Sequence, residues 1–436
     1  MSNNSPKVSV VIPTHNRCAS LQRTLRALSQ QTYPVRDFEV VVVADGCTDG
    51  TAEELQSFKT PLALRILRQS GEGAAAARNC GATTASGGLL LFLDDDIEPT
   101  PSLIEKHLQV HAAQPRLAVM GPYFPVCNGQ PDLLRVAVRL WWHKKFETMQ
   151  QAGHRFTFQD LLSGNLSIAA DLFRGIGGFD PSIRSAGGED YEFGVRLIKA
   201  GVHFTFASQA LAYHHEYETM NLARNFQRAR QEGRSDVHIG RCHPELRPIL
   251  GLTHFAETHT LKAQIGSALA FDHPKIGDWL ASLLFHALTP LERIRFRSVW
   301  YRLHARLREY WYLRGIAEEI GSRNALVSLL QGGPAHAEPG GREIEIDLSE
   351  GMEAAERRLD HEQPDGLRIR YRNHVVGRIP PQAGAERLRG EHLRPLLART
   401  ELAWLLMRAL IVEAAMNPRP IPTNRLGTIQ HEYPEV

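Results

Sequence analysis

The stretch Leu89-Leu90-Leu91-Phe92-Leu93-Asp94-Asp95-Asp96 is an apolar run that ends in three acids. A short, continuously apolar run is typical of a strand buried on both faces of a parallel sheet. Because side chains alternate along a strand, we expect Asp94 and Asp96 on one face, and Asp95 on the opposite face or in a turn. Uncompensated carboxylates are costly to bury, which favours a binding role over a solvated acidic turn. Two carboxylates at this spacing suit Mg²⁺ or Mn²⁺.

Three apolar runs upstream of this stretch also predict strands, at Val8–Pro13, Phe38–Ala44 and Leu64–Leu67. Segments with helical spacing or capping chemistry separate them, at residues 19–31, 48–58 and 73–86. Strands that alternate with helices predict an α/β fold with a parallel sheet covered on both faces. Ligands of such sheets bind beyond the carboxyl ends of the strands. We therefore expect the polar clusters at the strand ends to share one edge of the sheet.

Five motifs stand in a fixed order along the first half of the chain. They are Val10–Arg17, Asp45–Thr51, Ala77–Asn79, Phe92–Asp96 and Gly188–Asp190. In this order they resemble the motifs of family 2 glycosyltransferases of the GT-A fold, over roughly residues 7–235. The resemblance implies a Rossmann-like, mostly parallel central sheet, a nucleotide-sugar donor and a divalent metal, Mn²⁺ or Mg²⁺.

The resemblance also implies roles for individual residues in binding the donor. These are Pro13, Thr14 and Asn16 in the nucleotide pocket, Asp45 at the base, Arg78 near the phosphates, and Asp94 and Asp95 at ribose and sugar. Asp96 is the implied metal ligand, and His214 of the Tyr213–Glu216 segment completes the metal shell. Two alternatives stay open. Asp45 precedes a glycine and would also suit a turn without a ligand, and Arg78 would also suit the exposed surface of a helix.

On the acceptor side, the resemblance implies that Asp190 is the general base, with Glu189 beside it. A carboxylate within hydrogen-bond reach can take the proton of a sugar hydroxyl as it attacks. Acids in the first turn of a helix are also favoured by the macrodipole, which is the competing interpretation. The Gly187–Glu192 motif resembles both retaining and inverting enzymes, so inversion rests on the family resemblance alone.

Trp142 and Asn165 occupy the stretch that shapes the acceptor site in the family. Tryptophan faces stack well on sugar rings. A packed amphipathic helix is the alternative for one of the adjacent Trp141 and Trp142.

The rest of the chain predicts a helical extension at 236–330, a linker at 331–341 and a small α/β module at 342–436, after a catalytic domain at 1–235. Within the extension, Arg293–Arg314 interleaves arginines with aromatic residues. Three interpretations stay open for this segment: packing on the catalytic domain, contact with an anionic membrane surface, and stacking on single-stranded nucleic acid.

Composition bounds these interpretations. The 436 residues are 43% hydrophobic and 22% charged with a net charge of +2, so no general electrostatic case for nucleic acid exists. The five scattered cysteines include no C-x-x-C pair, which argues against a disulfide framework and a cysteine zinc site. The N-terminus carries no apolar signal core and no run of eighteen apolar residues occurs, so we expect a cytoplasmic protein, or one peripheral at the membrane.

The sequence thus predicts a glycosyltransferase that moves a sugar, from a UDP-sugar donor, to a hydroxyl of a glycan, lipid or small molecule. A nucleotidyltransferase is one alternative, although residues 12–18 lack its glycine-rich basic signature. A non-catalytic nucleotide-sugar-binding protein is another, although the triplet and Asp190 are both present.

Overall fold

The computed structural model describes residues 7–114, 116–126, 132–184, 187–215, 220–253, 261–331 and 341–416. It divides into two compact units. One comprises the chain up to Gly340 together with Gln382–Glu386, and the other comprises Gly341–Pro381 with the chain from Arg387 onward. Cys127 and residues 332–340 of the predicted linker lie outside the described residues. The predicted boundaries at 235, 330 and 341 stay predictions.

A seven-stranded sheet forms the centre of the first unit, in the order β3-β2-β1-β4-β8-β6-β9. Its strands are β1 Val8–Thr14, β2 Phe38–Asp45, β3 Ala63–Gln69, β4 Leu89–Leu93, β6 Leu117–Met120, β8 Asn165–Ala169 and β9 His203–Phe206. Every neighbouring pair is parallel except those of β8, which runs antiparallel to β4 and β6. The α/β class with a mostly parallel central sheet is therefore confirmed.

Three short strands form a second sheet in the order β5-β10-β7. They are β5 Ile97–Pro99, β7 Tyr123–Pro125 and β10 Ala212–His214. β5 comes directly after the acidic triplet and pairs antiparallel with β10, with His214 opposite Ile97. This pairing brings a histidine from late in the unit beside the end of β4.

Eight helices accompany the sheets in the described part of this region. They are α1 Cys18–Leu28, α2 Thr51–Gln56, α3 Ala74–Thr84, α4 Leu103–Ala113, α5 Leu133–Met149, α6 Ala170–Ile176, α7 Glu189–Lys199 and α8 Leu222–Cys242. The predicted spacing in the first helix is confirmed, since Leu21, Leu25 and Leu28 are all fully buried against the sheet. A helix that buries one apolar stripe on a sheet is stabilised mainly by that packing.

The remaining described helices of the unit are Leu261–Ser267, Pro274–Arg293, Arg297–Ile320 and Arg323–Gln331. Most of the arginine and aromatic segment lies in Arg297–Ile320, and part of it packs inward. Trp300 is fully buried and stacks on His304, while Arg308 donates to Glu232 of α8 at 2.8 Å. Among the described residues, no helix combines the length and apolar character that crossing a bilayer requires.

The second unit contains β11 Glu343–Asp347, β12 Gly366–Tyr371 and β13 His374–Ile379. β11 and β12 are parallel, and the helix Met352–Glu362 makes the crossover between them. The apolar composition of Leu393–Met416 predicts one helix within the small α/β module, and this prediction is wrong. Two helices, Gly390–Leu397 and Thr400–Met416, meet at Ala398 and Arg399.

Candidate active site

A cleft of about 710 Å³ opens at the carboxyl edge of the central sheet. Thr14, Asp45 and the acidic triplet all line it, which confirms that the polar clusters after β1, β2 and β4 share one edge. We name two of its sides. The triplet wall is the Thr14–Arg17 loop, Asp94–Asp96 and His214, and the helix wall is Gly187–Tyr191 with α8.

The acidic triplet lies in a turn, because β4 ends at Leu93. Strand alternation therefore does not apply, and the expected sharing of a face by Asp94 and Asp96 is wrong. One Nη1 of Arg17 instead lies 2.9 Å from Asp95 Oδ1 and 2.9 Å from Asp96 Oδ2, so these two acids turn to the same cation. Asp94 points to Arg78 instead, at 2.7 Å.

Asp95 is held from several directions. Thr14 Oγ1 donates to its Oδ2 at 2.7 Å, and Thr24 Oγ1 donates to its backbone carbonyl at 3.1 Å. Burial raises the pKa of Asp95, Arg17 opposes that rise, and the neighbouring Asp96 adds to it. These contacts fix the loop after β1 against the turn after β4.

Asp96 and His214 form the pair that suits a metal. His214 Nε2 lies 3.4 Å from Asp96 Oδ1, and both side chains are about nine-tenths buried. Burial raises the pKa of Asp96, but His214 and then Arg17 outweigh it and hold that pKa below its usual range. The adjacent His215 turns away and bonds Glu98 at 2.6 Å. The imidazole of His214 contacts the Asp96 side chain, whereas His215 contacts Asp96 through its backbone N–H, which donates to the Asp96 carbonyl at 2.9 Å.

Carboxylate and imidazole are donors that Mn²⁺ accepts, so this pair fits a divalent ion. No group of three or more His, Cys, Asp or Glu side chains within the described ranges is arranged to hold a metal. Two protein ligands leave the rest of a coordination shell to ligand oxygens and water, as is usual for ions that bind phosphates.

The predicted nucleotide-binding loops are ordered by their own hydrogen bonds. The Asp45 carboxylate accepts from the backbone N–H groups of Gly71, Glu72 and Gly73 at 2.8–2.9 Å. Asn16 adopts φ +54° and its side-chain oxygen accepts from Thr48 N at 2.7 Å. Pro13 lines the cleft beside them. Asp45 therefore shapes the loop at 71–73, and its contact with a base stays a prediction.

Arg78 joins the two walls. It is 4% exposed, which excludes the helix-surface interpretation. Its Nη2 donates to Asp94 at 2.7 Å and its Nη1 to Glu189 at 3.1 Å. Glu189 also accepts from the N–H of Gly187 at 2.7 Å. A buried cation between two carboxylates keeps the triplet and the start of α7 in fixed relation.

Asp190 stands in the first turn of α7 and lines the cleft. Gly188 precedes the helix at φ +102°, and a Cβ there would lie 2.4 Å from Ser235 Cβ of α8. Only glycine permits this close approach. Burial, and next the negative charge of Glu189, raise the pKa of Asp190, while Arg78 and Arg228 lower it. The result is a partly exposed carboxyl with an elevated proton affinity.

Trp142 lines the cleft with little of its side chain exposed, whereas the Asn165 side chain is buried and is not among the cleft-lining residues. Trp142 is 4% exposed and its ring packs among Tyr123, Phe146 and His214. The adjacent Trp141, also in the cleft lining, is 50% exposed. Asn165 is fully buried, where its amide bonds His107 and the Ala210 carbonyl. Adjacent residues on a helix point about 100° apart, so one tryptophan is buried and the other is exposed.

Sequence reasoning missed part of the cleft. The motif Val10–Arg17 predicted no role for Arg17. The signal in the sequence was a cationic residue in the loop directly after β1, at the edge of the sheet where the acidic triplet also lies. The wall built by α8 and Arg297–Ile320 carries no local motif. There Tyr312 donates a hydrogen bond to Asp236, and burial raises the pKa of Asp236 to about 6.

Comparison with known families agrees with this geometry. Residues 9–176 match the model of glycosyl transferase family 2, and residues 144–220 match that of the N-terminal domain of galactosyltransferase. The first match spans the triplet and the loops after β1 and β2. The second spans the start of α7 and His214.

Individual relatives cover about half of the chain. Validoxylamine A glucosyltransferase of Streptomyces hygroscopicus subsp. jinggangensis is 35% identical over 47% of this chain and 54% of its own length. Glycosyltransferase AglE of Haloferax volcanii is 31% identical over 49% of this chain and 68% of its own. The chain thus spans only about half the length of the first of these relatives.

Solved structures resemble the chain only distantly. A mannosyltransferase from Pyrobaculum calidifontis, in complex with GDP-Man and Mn²⁺, is 19% identical with a TM-score of 0.45, over 76% of this chain and 88% of its own. At that score the likeness carries no argument about donor or metal.

Proposed function

Because the chain belongs to family 2 of the glycosyltransferases, we propose that it transfers a sugar from a nucleotide-sugar donor to a hydroxyl group of an acceptor. The single observation that carries this proposal is the arrangement of carboxylates in one cleft. The triplet lies on one wall and Asp190 lies on the other, and Arg78 bonds Asp94 of the triplet and Glu189, the neighbour of Asp190.

The triplet wall is proposed to bind the donor. A divalent ion held by Asp96 and His214 would neutralise the charge that develops on the leaving diphosphate. Thr14, Asp95 and Arg17 keep the loop after β1 in place for the nucleotide. Besides the divalent ion, Arg17 is a second cation beside Asp95 and Asp96. We expect its guanidinium to turn toward the phosphate oxygens when the donor binds.

Asp190 is proposed as the general base. Its raised pKa makes it a better proton acceptor than an ordinary aspartate, which is what deprotonating a sugar hydroxyl requires. Direct attack by that hydroxyl on the anomeric carbon forms the new glycosidic bond and breaks the bond to the diphosphate. The anomeric centre is then inverted.

The acceptor is proposed to lie against the helix wall. This wall presents acids, bases and amides together, including Gln227, Glu232 and Asp236. Such a mixed polar surface suits a hydroxyl-rich acceptor. The exposed ring of Trp141 replaces Trp142 as the proposed stacking surface.

A UDP-sugar is the proposed donor, and the test is a calorimetric titration with UDP and, in parallel, GDP, with and without Mn²⁺. We expect UDP binding that Mn²⁺ strengthens by about tenfold or more. Hydrolysis of a panel of nucleotide sugars then identifies the sugar. No binding of either nucleotide with Mn²⁺ present would contradict the proposal, and preference for GDP would reassign the base.

A further inference from the structure

One face of the first unit, away from the cleft residues, combines exposed apolar side chains with exposed arginines. On the helix Pro274–Arg293, Ile276, Trp279 and Leu283 recur at helical spacing and are 54%, 63% and 57% exposed. Leu284 lies beside them and is 44% exposed. We call these four residues the apolar stripe. The stripe extends over about 12 Å of a helix that is about 30 Å long.

The stripe runs toward a second exposed group at the end of the same helix. There Arg293, Arg295 and Arg297 alternate with Ile294 and Phe296, which are 70% and 55% exposed. Within the described residues none of the three arginines forms an ion pair. We call these five residues the arginine end. Exposed apolar and cationic groups therefore occur on the same helix and on the turn that follows it.

The acids of this helix are turned away from that face. They are Asp278 and Glu292. Asp278 accepts from the Tyr310 hydroxyl at 2.7 Å and from Arg314 at 3.1 Å. Glu292 accepts from the backbone N–H of Leu133 at 2.6 Å. Neither acid of this helix therefore offsets the charge of the three exposed arginines, and exposed positive charge with exposed apolar surface is a combination that is complementary to anionic lipid.

We propose that this face binds the surface of an anionic lipid bilayer. The apolar stripe enters the headgroup region, and the arginine end lies against lipid phosphates. Base stacking is a weaker fit, because three of the four stripe residues are aliphatic and offer no ring. A contact with a second copy through the stripe is also a weaker fit, since it gives the three arginines no anionic partner from this helix.

This proposal goes beyond glycosyl transfer and does not depend on it. The test is co-sedimentation of the full chain with vesicles, without donor or metal, so that a failure of the proposed activity leaves it untouched. Vesicles of phosphatidylcholine with phosphatidylglycerol are compared with pure phosphatidylcholine. We expect binding to the anionic vesicles that weakens as salt rises, and binding to the neutral ones that is weaker by about tenfold or more.

Matched variants assign the binding to this face. The triple variant R293Q/R295Q/R297Q should weaken binding on the order of a hundredfold, whereas R293K/R295K/R297K should stay within about threefold of the unchanged chain. Trp279→Ala should weaken it about tenfold through lost apolar burial. The control Trp404→Ala removes an exposed tryptophan of the second unit and should change nothing.

Three results would overturn the proposal. The first is equal affinity for neutral and anionic vesicles, or none for either. The second is binding of single-stranded RNA, with no vesicle binding, that depends on the same arginines. The third is a dimer in sedimentation velocity that Trp279→Ala dissociates while vesicles are not bound.

Discussion

Asp96 and Asp190 are the same side chain on two walls of one cleft, yet their surroundings differ in sign. On the triplet wall, His214 and Arg17 hold the pKa of Asp96 below its usual range. On the helix wall, burial and Glu189 raise that of Asp190. Groups whose environments push their pKa values apart take different chemical roles. One wall is built to stay charged and bind, and the other to accept a proton.

The largest effect should come from removing the proposed base. Asp190→Asn should lower kcat by about 10² to 10⁴, because the acceptor hydroxyl loses its proton acceptor. The control is Asp171→Asn, since Asp171 also stands in the first turn of a helix, α6. Steady-state kinetics with the identified donor and acceptor measure both. Equal losses would favour the macrodipole interpretation of Asp190.

Arg78, which links the two walls, should contribute to the free energy of unfolding. Arg78→Met leaves Asp94 and Glu189 without their shared buried cation and should lower the free energy of unfolding by about 3 to 5 kcal/mol. Arg68→Met is the control. Its ion pair with Glu53 is about half-exposed on both sides, so the change should stay below about 1 kcal/mol. Urea unfolding measures both, and similar losses would contradict the bridging role.

The two adjacent histidines separate metal binding from packing. His214→Ala should weaken Mn²⁺-supported UDP binding about 10- to 100-fold, since it removes one of two proposed protein ligands. His215→Ala should leave it within about threefold, because the His215 side chain bonds Glu98 and alanine keeps the backbone N–H that donates to the Asp96 carbonyl. Calorimetric titration measures both variants. A larger loss of UDP affinity in His215→Ala than in His214→Ala would contradict the proposed metal site and would favour His215 as the ligand.

A pH profile tests the raised proton affinity of the helix wall. With the pKa of Asp190 raised to about 7, the base is progressively protonated as pH falls through that value. We therefore expect kcat to be about tenfold lower at about pH 6 than at about pH 8. The groups that face Asp190 and set this value are Glu189, Arg78 and Arg228. A kcat that stays constant well below this pKa would contradict the assignment of Asp190 as the base.

The smallest effect should separate the two tryptophans. Trp141→Ala should raise the KM for the acceptor about three- to tenfold through a lost ring contact, without lowering stability. Trp142→Ala should destabilise the fold by about 3 to 5 kcal/mol, because it empties an aromatic cluster. Urea unfolding and acceptor kinetics measure both variants. A stability loss in Trp141→Ala, or a changed KM without a stability loss in Trp142→Ala, would contradict this assignment.

Part of this site could be predicted from the sequence because it depends on strand order. Buried apolar runs predicted the sheet, and parallel strands bring the loops at their carboxyl ends to one edge. The orientation of the triplet could not be predicted, because Asp94–Asp96 leave the strand at Leu93 and Arg17 then decides where they point. Asn165 was misplaced for a similar reason, since its neighbour Gly164 lines the cleft while its own side chain bonds His107.

Helix boundaries in the second unit show another limit. Leu393–Met416 is apolar enough to predict one helix, and its local boundary signals, Pro395 and the Thr400-Glu401 pair, do not by themselves fix the break at Ala398 and Arg399. The helix Met352–Glu362 was missed because only Ala355 and Leu359 of its eleven residues are buried. Tertiary packing decides both cases, and packing is what a linear pattern carries least well.

The division of labour between the walls is tested most directly by titrating UDP, with Mn²⁺ present, into Asp190→Asn and Asp96→Asn and measuring turnover of each. We predict that Asp190→Asn binds UDP within about twofold of the unchanged chain while its turnover falls by about 10² or more. Asp96→Asn should instead lose UDP affinity by about tenfold or more. Parallel loss of binding and turnover in Asp190→Asn, or native UDP binding by Asp96→Asn, would contradict this division.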